Sequence, residues 1–294
     1  MNRANLQHYL SSFLPDCFDD NNAGLEITSV SGGSLNETHR IMGKAKDALF
    51  LKINSAKKFP QLFELEKQGL DQLSSTQTIR TPKILHMGEM GDLQLLVMEW
   101  VAEGQKTKKF WENFGARLAA LHQHSDTHHG FVNDNYMGVL YQKNDRMESW
   151  IDFFTECRIK PQLALARNKG LIDQKDIDEF DSLIERLPAI FEDENPSMLH
   201  GDLWSGNFLC DEHEQPVLID PAVYFGHRSM DLAMTKLFGG FDETFYSSYN
   251  HHFAFPKNHD EQWDVCNLYP LLIHLNLFGI SYKRSIREIL KKFH

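Results

Sequence analysis

The sequence predicts an α+β fold in two lobes, a small β-rich N-terminal lobe over residues 1–101 and a larger α-helical lobe over 102–294. Three observations carry that expectation. Short stretches of alternating apolar and polar residues dominate the first hundred positions. Apolar residues at helical spacing dominate nearly everything after Glu103-Gly104. Within that second half only two short strand-like runs recur, "NFLC" and "PVLID", parted by the polar turn "DEHEQ". The change of character falls at residues 99–104, and 294 residues suffice to bury a sizeable core.

Taken in order, "GLEITSV" (24–30) alternates and runs into the glycine-rich "SGGSLNE" (31–37). "THRIMG" (38–43) and "ALFLKI" (48–53) follow, joined by the turn-prone "KAKD". Strand side chains alternate, so Leu49, Leu51 and Ile53 share one face while Phe50 and Lys52 take the other. "PQLFELEKQGLDQLSS" sets Phe63, Glu66, Leu70 and Leu73 at helical spacing, with Pro60 near the start. "TPKILHMGEMGDLQLLVMEWV" returns to strands, the last expected over Leu93–Val101. Beyond it, Trp111, Phe114, Leu118 and Leu121 form the apolar stripe of a helix. "ESWIDFFTECRIKPQLALARNKG" predicts another, interrupted by Pro161, and "DQKDIDEFDSLIERLPAIF" a third. From Met230 to His294 the pattern is again helical. The chain shows no internal repeat and no low-complexity tract.

A net charge of −11 argues against a general nucleic-acid binder, which needs a basic face. It also requires that any polyanionic substrate be met by local cations or a metal. Cys17, Cys157, Cys210 and Cys266 lie far apart without a CxxC pair, so a reducing compartment is expected. The N-terminal stretch lacks a signal-peptide core, and no apolar run approaches 18 residues. A soluble cytoplasmic protein is the expectation, with no membrane partner.

The chemistry gathers in "MLHGDLWSGNFLC" (198–210), where His200, Asp202 and Asn207 fall within eight positions. Eighteen residues after Asp202, Asp220 closes the apolar "VLID". Alone, such a loop could be a capped turn, because Asp and Asn favour local backbone hydrogen bonds. Its spacing also resembles the protein-kinase catalytic loop H-R-D-x-x-x-x-N with the later metal-binding aspartate. Phosphoryl transfer is mostly positioning and charge neutralisation, so it needs one carboxylate for the attacking hydroxyl and hard oxygens for Mg²⁺. Asp202 would be that carboxylate, with Asn207 and Asp220 the metal ligands. Upstream, strand residue Lys52 and, fourteen positions on, helix residue Glu66 stand in the order of the kinase lysine that grips phosphates and the glutamate that fixes it. Taken singly, Lys52 could be a solvated edge lysine and Glu66 a surface residue. Glu64 is the rival, but Glu66 shares a face with Leu70 and Leu73.

Gly32 and Gly33 could lay backbone N–H groups over phosphates or form merely a tight turn. Glu99, Trp100 and Val101 suit the segment that reads an adenine edge through its backbone, or a plain linker. The absence of GxxxxGK[ST] excludes a P-loop. His122, His124, His128, His129, His251 and His252 lack a zinc ligand set and are expected to be solvated loop residues.

With these residues in view, the chain resembles the aminoglycoside-phosphotransferase-like branch of the protein-kinase fold, and most closely the fructosamine kinase (ketosamine-3-kinase) family. The resemblance runs nearly the whole length, through "SGGSLNETHRI", "LFLKIN", "FELEKQGLDQL", "VMEWV", "GFVNDNYMG", "WIDFFTECRIKPQL" and "LYPLLIHLNLFG". Its specific stretches are "HGDLWSGN" and "IDPAVYFGHRSMDLAM". It implies ATP-dependent phosphorylation of the sugar 3-hydroxyl of a ketosamine, free or on a protein amine. The base role then goes to Asp202, the metal roles to Asn207 and Asp220, and ATP contacts to Lys52, Glu66 and the 99–101 backbone. Asp231 would hydrogen-bond the catalytic loop.

Two departures stand out. Where family members tend to read PQxNxW, this chain has Tyr141-Gln142-Lys143-Asn144-Asp145-Arg146, in a region expected to face the acceptor. Ser229 stands where an acidic residue is usual. Gly201 also replaces the arginine of H-R-D, and A-P-E is missing, which implies a kinase without phospho-control. Two further readings stay open. One is the same fold acting on an aminoglycoside, choline or another sugar. The other is a nucleotide-binding module without turnover, against which the presence of Lys52, Asp202, Asn207 and Asp220 counts.

Overall fold

A strand that is apolar on both faces must be covered twice, and the first lobe does this around β3. The computed structural model describes residues 3–13, 26–30, 36–43 and 48–293. Helix α1 (Arg3–Phe13) precedes β1 (Glu26–Ser29), β2 (Glu37–Met42) and β3 (Ala48–Ser55). Helix α2 (Leu62–Ser75) and strands β4 (Ile84–Met90) and β5 (Leu93–Glu99) complete the lobe. The strands form one antiparallel sheet in the order β1-β2-β3-β5-β4. On one face Leu49, Leu51 and Ile53 join Leu95 and Val97 under Leu6 and Leu10 of α1. On the other, Phe50, Leu96 and Met98 meet Leu62, Phe63 and Leu70 of α2. Lys52 belongs to this second face of a central strand and is only 1% exposed, so it is no solvated edge lysine.

Two boundaries differ from expectation. Helix α2 begins at Leu62 because Gln61 has φ 59°, a left-handed conformation that helical residues do not adopt. The last strand stops at Glu99, and the chain then crosses to the second lobe. Arg80 braces the crossing, donating to Glu99 at 2.7 Å and to Asp211 at 2.8 Å.

The second lobe opens with α3 (Lys108–His122), capped by Thr107, whose side chain accepts the Phe110 N–H. The hairpin β6 (Asn135–Met137) and β7 (Leu140–Gln142) follows. A continuous helical run then comprises α4 (Trp150–Phe153), a π-helical turn at Phe154–Ile159, and α5 (Lys160–Asn168). The expected interruption at Pro161 is absent. Pro161 lies at the start of α5, directly after the π turn, and the helical run continues through it with its irregularity upstream in that turn. Helix α6 (Gln174–Ile190) starts on a capping box, with Asp173 and Asp176 each accepting from the other's backbone N–H.

Next come β8 (Ser197–Leu199), β9 (Phe208–Cys210), β10 (Pro216–Leu218) and β11 (Tyr224–Gly226). Strands β9 and β10, the two short runs the sequence predicts, pair with each other, while β8 pairs with β11. Helices α7 (Ser229–Leu237), α8 (Glu243–His252), α9 (His259–Phe278) and α10 (Lys283–Leu290) close the lobe. Gly115 lets α3 approach α8, since a Cβ there would lie 2.3 Å from the Phe245 carbonyl. Cys157, Cys210 and Cys266 are free and buried. Among the described residues no helix is long and apolar enough to cross a membrane.

Candidate active site

Strand β8 delivers the chain to His200, and backbone geometry dictates the next residue. Gly201 has φ +84°, and a Cβ there would stand 2.0 Å from the Ala222 carbonyl oxygen. Only glycine fits, which is a physical reason for the missing H-R-D arginine. Asp231, in the first turn of α7, accepts the backbone N–H of His200 at 2.8 Å and of Gly201 at 2.9 Å. It also accepts His122 Nε2 at 3.2 Å, while His122 Nδ1 takes the Tyr249 hydroxyl at 2.8 Å. Burial alone would raise the Asp231 pKa, but the bonds from His122 and Gly201 help hold it below the usual carboxylate value.

His200 links this loop to the next one. Its Nε2 lies 2.9 Å from the Ile219 carbonyl, which can only accept, so the proton sits on Nε2 and Nδ1 accepts the Asp202 N–H at 3.3 Å. Burial lowers its pKa and keeps the ring neutral, as that arrangement requires. The His200 carbonyl in turn accepts the Ala222 N–H at 2.9 Å.

Asn207 donates from Nδ2 to the Asp202 carbonyl at 2.8 Å and to the Asp202 carboxylate at 2.9 Å. Burial pushes the Asp202 pKa up to about 7; the Asn207 bond opposes this and the charges of Asp220 and Asp231 add to it. Asp220 has φ +54°, a left-handed conformation that aspartate tolerates better than bulkier residues. Its Oδ1 accepts Lys52 Nζ at 2.5 Å, and the same ammonium donates to Glu66 at 2.6 Å. Burial would depress the Lys52 pKa, yet Asp220 and Glu66 outweigh it and hold the lysine charged. Glu66 is pushed up by burial, with Lys52 only partly compensating. Gly69 of α2 carries this arrangement close to the Asp220 loop, since a Cβ there would come within 3.2 Å of Pro221.

These groups meet in one cleft of about 170 Å³, lined by Glu66, Asp202, Asn207, Asp220, Tyr136 and Trp204 among others. Among the described residues no lysine or arginine lines it. Because Asn207 donates through Nδ2, its Oδ1 remains for another ligand. With the carboxylate of Asp220 it forms a hard-oxygen donor set that fits Mg²⁺, an ion that few protein oxygens hold together with substrate phosphates.

The structure thus brings together Lys52, Glu66, Asp202, Asn207 and Asp220. Glu64 accepts from Gln68 instead of meeting Lys52. Glu99, Trp100 and Val101 lie at the crossing, outside this cleft's lining. There the Glu99 N–H bonds Lys83 and the Trp100 N–H bonds Ala48, while the Val101 N–H makes no bond among the described residues. Gly32 and Gly33 fall outside the described residues. His122 and His129 are buried, against the expectation that the histidines are solvated. His122 and Tyr249 buttress Asp231, a contact that sequence reasoning missed because only the fold shows that α3 and α8 close on it. Of the departures, Tyr141 hydrogen-bonds Asp134 and packs edge-on to Tyr136 at 6.2 Å. Arg146 pairs with Asp126 at 2.6 Å, and buried Ser229 donates to Gln262 at 2.8 Å.

A family model described as fructosamine kinase matches residues 8–294. The chain belongs to the fructosamine kinase family. Among its relatives is a "probable ketoamine kinase" of Enterococcus faecium, 37% identical and covering 91% of this chain and 95% of that protein. A chloroplastic protein-ribulosamine 3-kinase of Arabidopsis thaliana is 34% identical, covering 91% of this chain and 82% of that one. A crystal structure of a fructosamine-3-kinase candidate from Haemophilus somnus superposes with a TM-score of 0.84 at 26% identity, covering 98% and 96% of the two chains. More distant aminoglycoside-phosphotransferase-like kinases share the fold alone. This member of the fructosamine kinase family is a phosphotransferase of protein-kinase-like fold, with a small sheet lobe and a larger helical one, and its family implies the use of ATP.

Proposed function

We propose that this kinase transfers the γ-phosphoryl group of ATP to the 3-hydroxyl of a ketosamine, free or borne on a protein amine. Residues 1–101 would hold the nucleotide and residues 102–294 would supply the catalytic groups and the acceptor site. The observation that carries the reading is the convergence of Asp202, Asn207, Asp220 and the Lys52–Glu66 pair in a chain matched almost end to end by the family model.

In this reading Asp202 takes the proton of the acceptor hydroxyl as its oxygen bonds to the γ-phosphorus and the bond from phosphorus to ADP breaks. Asn207 holds the Asp202 carboxylate in place. Lys52, fixed by Glu66, meets the nucleotide phosphates, and the Val101 N–H is offered to the adenine edge. Asn207 and Asp220 would hold Mg²⁺, which neutralises charge on the transferring phosphate when bound.

The test is Mg²⁺-dependent ADP release with a fructosyl-amine, a ribulosyl-amine, an aminoglycoside, choline and no acceptor. Stimulation by the ketosamines alone is the expected result, and turnover of another acceptor instead would overturn the substrate assignment. Asp202→Asn should keep ATP binding and lose turnover by at least about 10³-fold.

A further inference from the structure

A string of rings leads out of the cleft past the catalytic loop. Trp204, two residues from Asp202, meets Phe238 edge-on at 6.4 Å between ring centroids. Phe238 meets His274 at 4.8 Å, and His274 meets Phe278 at 5.4 Å and Tyr282 at 5.1 Å. Trp204, His274 and Phe278 line the same cleft as Asp202. Phe238 is nevertheless 40% exposed and Phe278 50% exposed, although both are large apolar side chains in contact with other rings.

The string is fastened to the catalytic loop. Gly240, with φ +91°, lies so close that a Cβ there would come within 2.5 Å of Ser205. Helix α9 ends at Phe278, capped by Gly279 with φ +95°, and so presents Phe278 to the cleft it lines. The exposed rings are therefore a continuation of the reaction cleft and not an isolated surface patch.

We propose that Phe238 and Phe278 form the subsite for the group attached to the ketosamine nitrogen, and that they select acceptors whose amine carries an aromatic or other apolar substituent. This inference rests on the ketosamine reading and deepens it. In a ketosamine the nitrogen sits on C1, two carbons from the C3 whose hydroxyl would face Asp202, so its substituent lies beyond the reacting hydroxyl, where the rings next to the cleft can meet it. A substituent projecting along the rings would cover apolar surface that is otherwise wet, and burial of such surface favours binding. His274 is fixed by its Nδ1 bond to the Pro270 carbonyl at 2.7 Å, which keeps the string ordered between the two phenylalanines.

The experiment compares two acceptors of equal charge, the fructosyl adducts of benzylamine and of ethanolamine, on the full chain with Mg²⁺ and ATP. The benzylamine adduct should show a kcat/KM at least about tenfold higher, mostly through KM, as expected for added apolar contact. In Phe238→Ser and Phe278→Ser that ratio should fall to within about twofold, with circular dichroism reporting whether each variant is folded. Equal kcat/KM for both adducts on the natural chain would overturn the subsite. An unchanged ratio in both folded variants would do so too. Failure of the underlying substrate reading looks different, because then neither adduct is phosphorylated.

Discussion

Replacing Asp231 by asparagine tests whether the catalytic loop is held by this carboxylate. The side chain is 1% exposed and receives His200 N–H and Gly201 N–H on different oxygens, at 2.8 and 2.9 Å. Asparagine keeps one acceptor and puts an NH₂ where the other oxygen stood. Either amide orientation therefore sets a donor against a buried backbone donor. A hydrogen bond to a charged group contributes about 1.5–3 kcal/mol, and an orphaned buried N–H costs about 1–3 kcal/mol. Together they predict a loss of about 3–5 kcal/mol, a large share of an ordinary domain's stability. Because Asp202 follows Gly201 directly, its misplacement should also lower kcat by roughly 10²-fold. Urea unfolding of the natural chain and of Asp231→Asn measures the first quantity without reference to any substrate, and ADP release measures the second. A stability change under about 1 kcal/mol with kcat within about twofold would refute the reasoning.

Three further outcomes are expected. With Asp202 pushed up to about 7 and required as a carboxylate, kcat/KM should fall about tenfold per pH unit below pH 7 and level off above it; a limb centred near 4 would remove Asp202 from the base role. His227 is buried and its pKa is lowered to about 4 from 6.5, so between those values the unfolded chain binds the proton and stability falls as pH drops. The contribution is about 2 kcal/mol between pH 7.5 and pH 5, and Asp202 and Glu66, raised instead of lowered, act in the opposite sense. The clean measurement is the Tm of the natural chain minus that of His227→Gln, which should shrink by roughly 4 °C over that range, and a pH-independent gap would contradict it. Finally, the only Ser and Thr between residues 220 and 240, Ser229 and Thr235, are fully buried, so phosphatase treatment should leave kcat unchanged. A drop would show that phosphorylation controls the enzyme after all.

What the sequence revealed and what it hid divide along a physical line. Alternation over six or eight residues made β2 and β3 legible, and the stripe from Trp111 to Leu121 made α3 legible, because each pattern has enough periods to count. The three-residue pairs β6–β7 and β8–β11 carry too few residues for any period and, unlike the equally short β9 and β10, are not parted by a polar turn such as "DEHEQ", so they stayed hidden although β8 sets the entry to the catalytic loop. The same division runs through the site. Lys52, Asp202, Asn207 and Asp220 could be named because their types and spacing are constrained by the chemistry of phosphate and metal. The part His122 and Tyr249 play beneath Asp231 could not be read, since His122 reaches Asp231 across 109 positions of sequence and Tyr249 across 127.

Gly201 joins the two kinds of legibility. Read as a letter, it is the arginine that an H-R-D kinase would have and this chain lacks. Seen in place, it is the residue that can pass beneath the Ala222 carbonyl, where an added Cβ would stand 2.0 Å from the oxygen, while its N–H reaches Asp231. An arginine there would have to displace the 219–222 segment that accepts from His200 and carries Asp220. The loss of a regulatory arginine and the close stitching of the catalytic loop to the Asp220 segment are therefore one structural choice. A chain that tightens this loop by backbone contact has no room at this position for a residue that reads a phosphorylated segment.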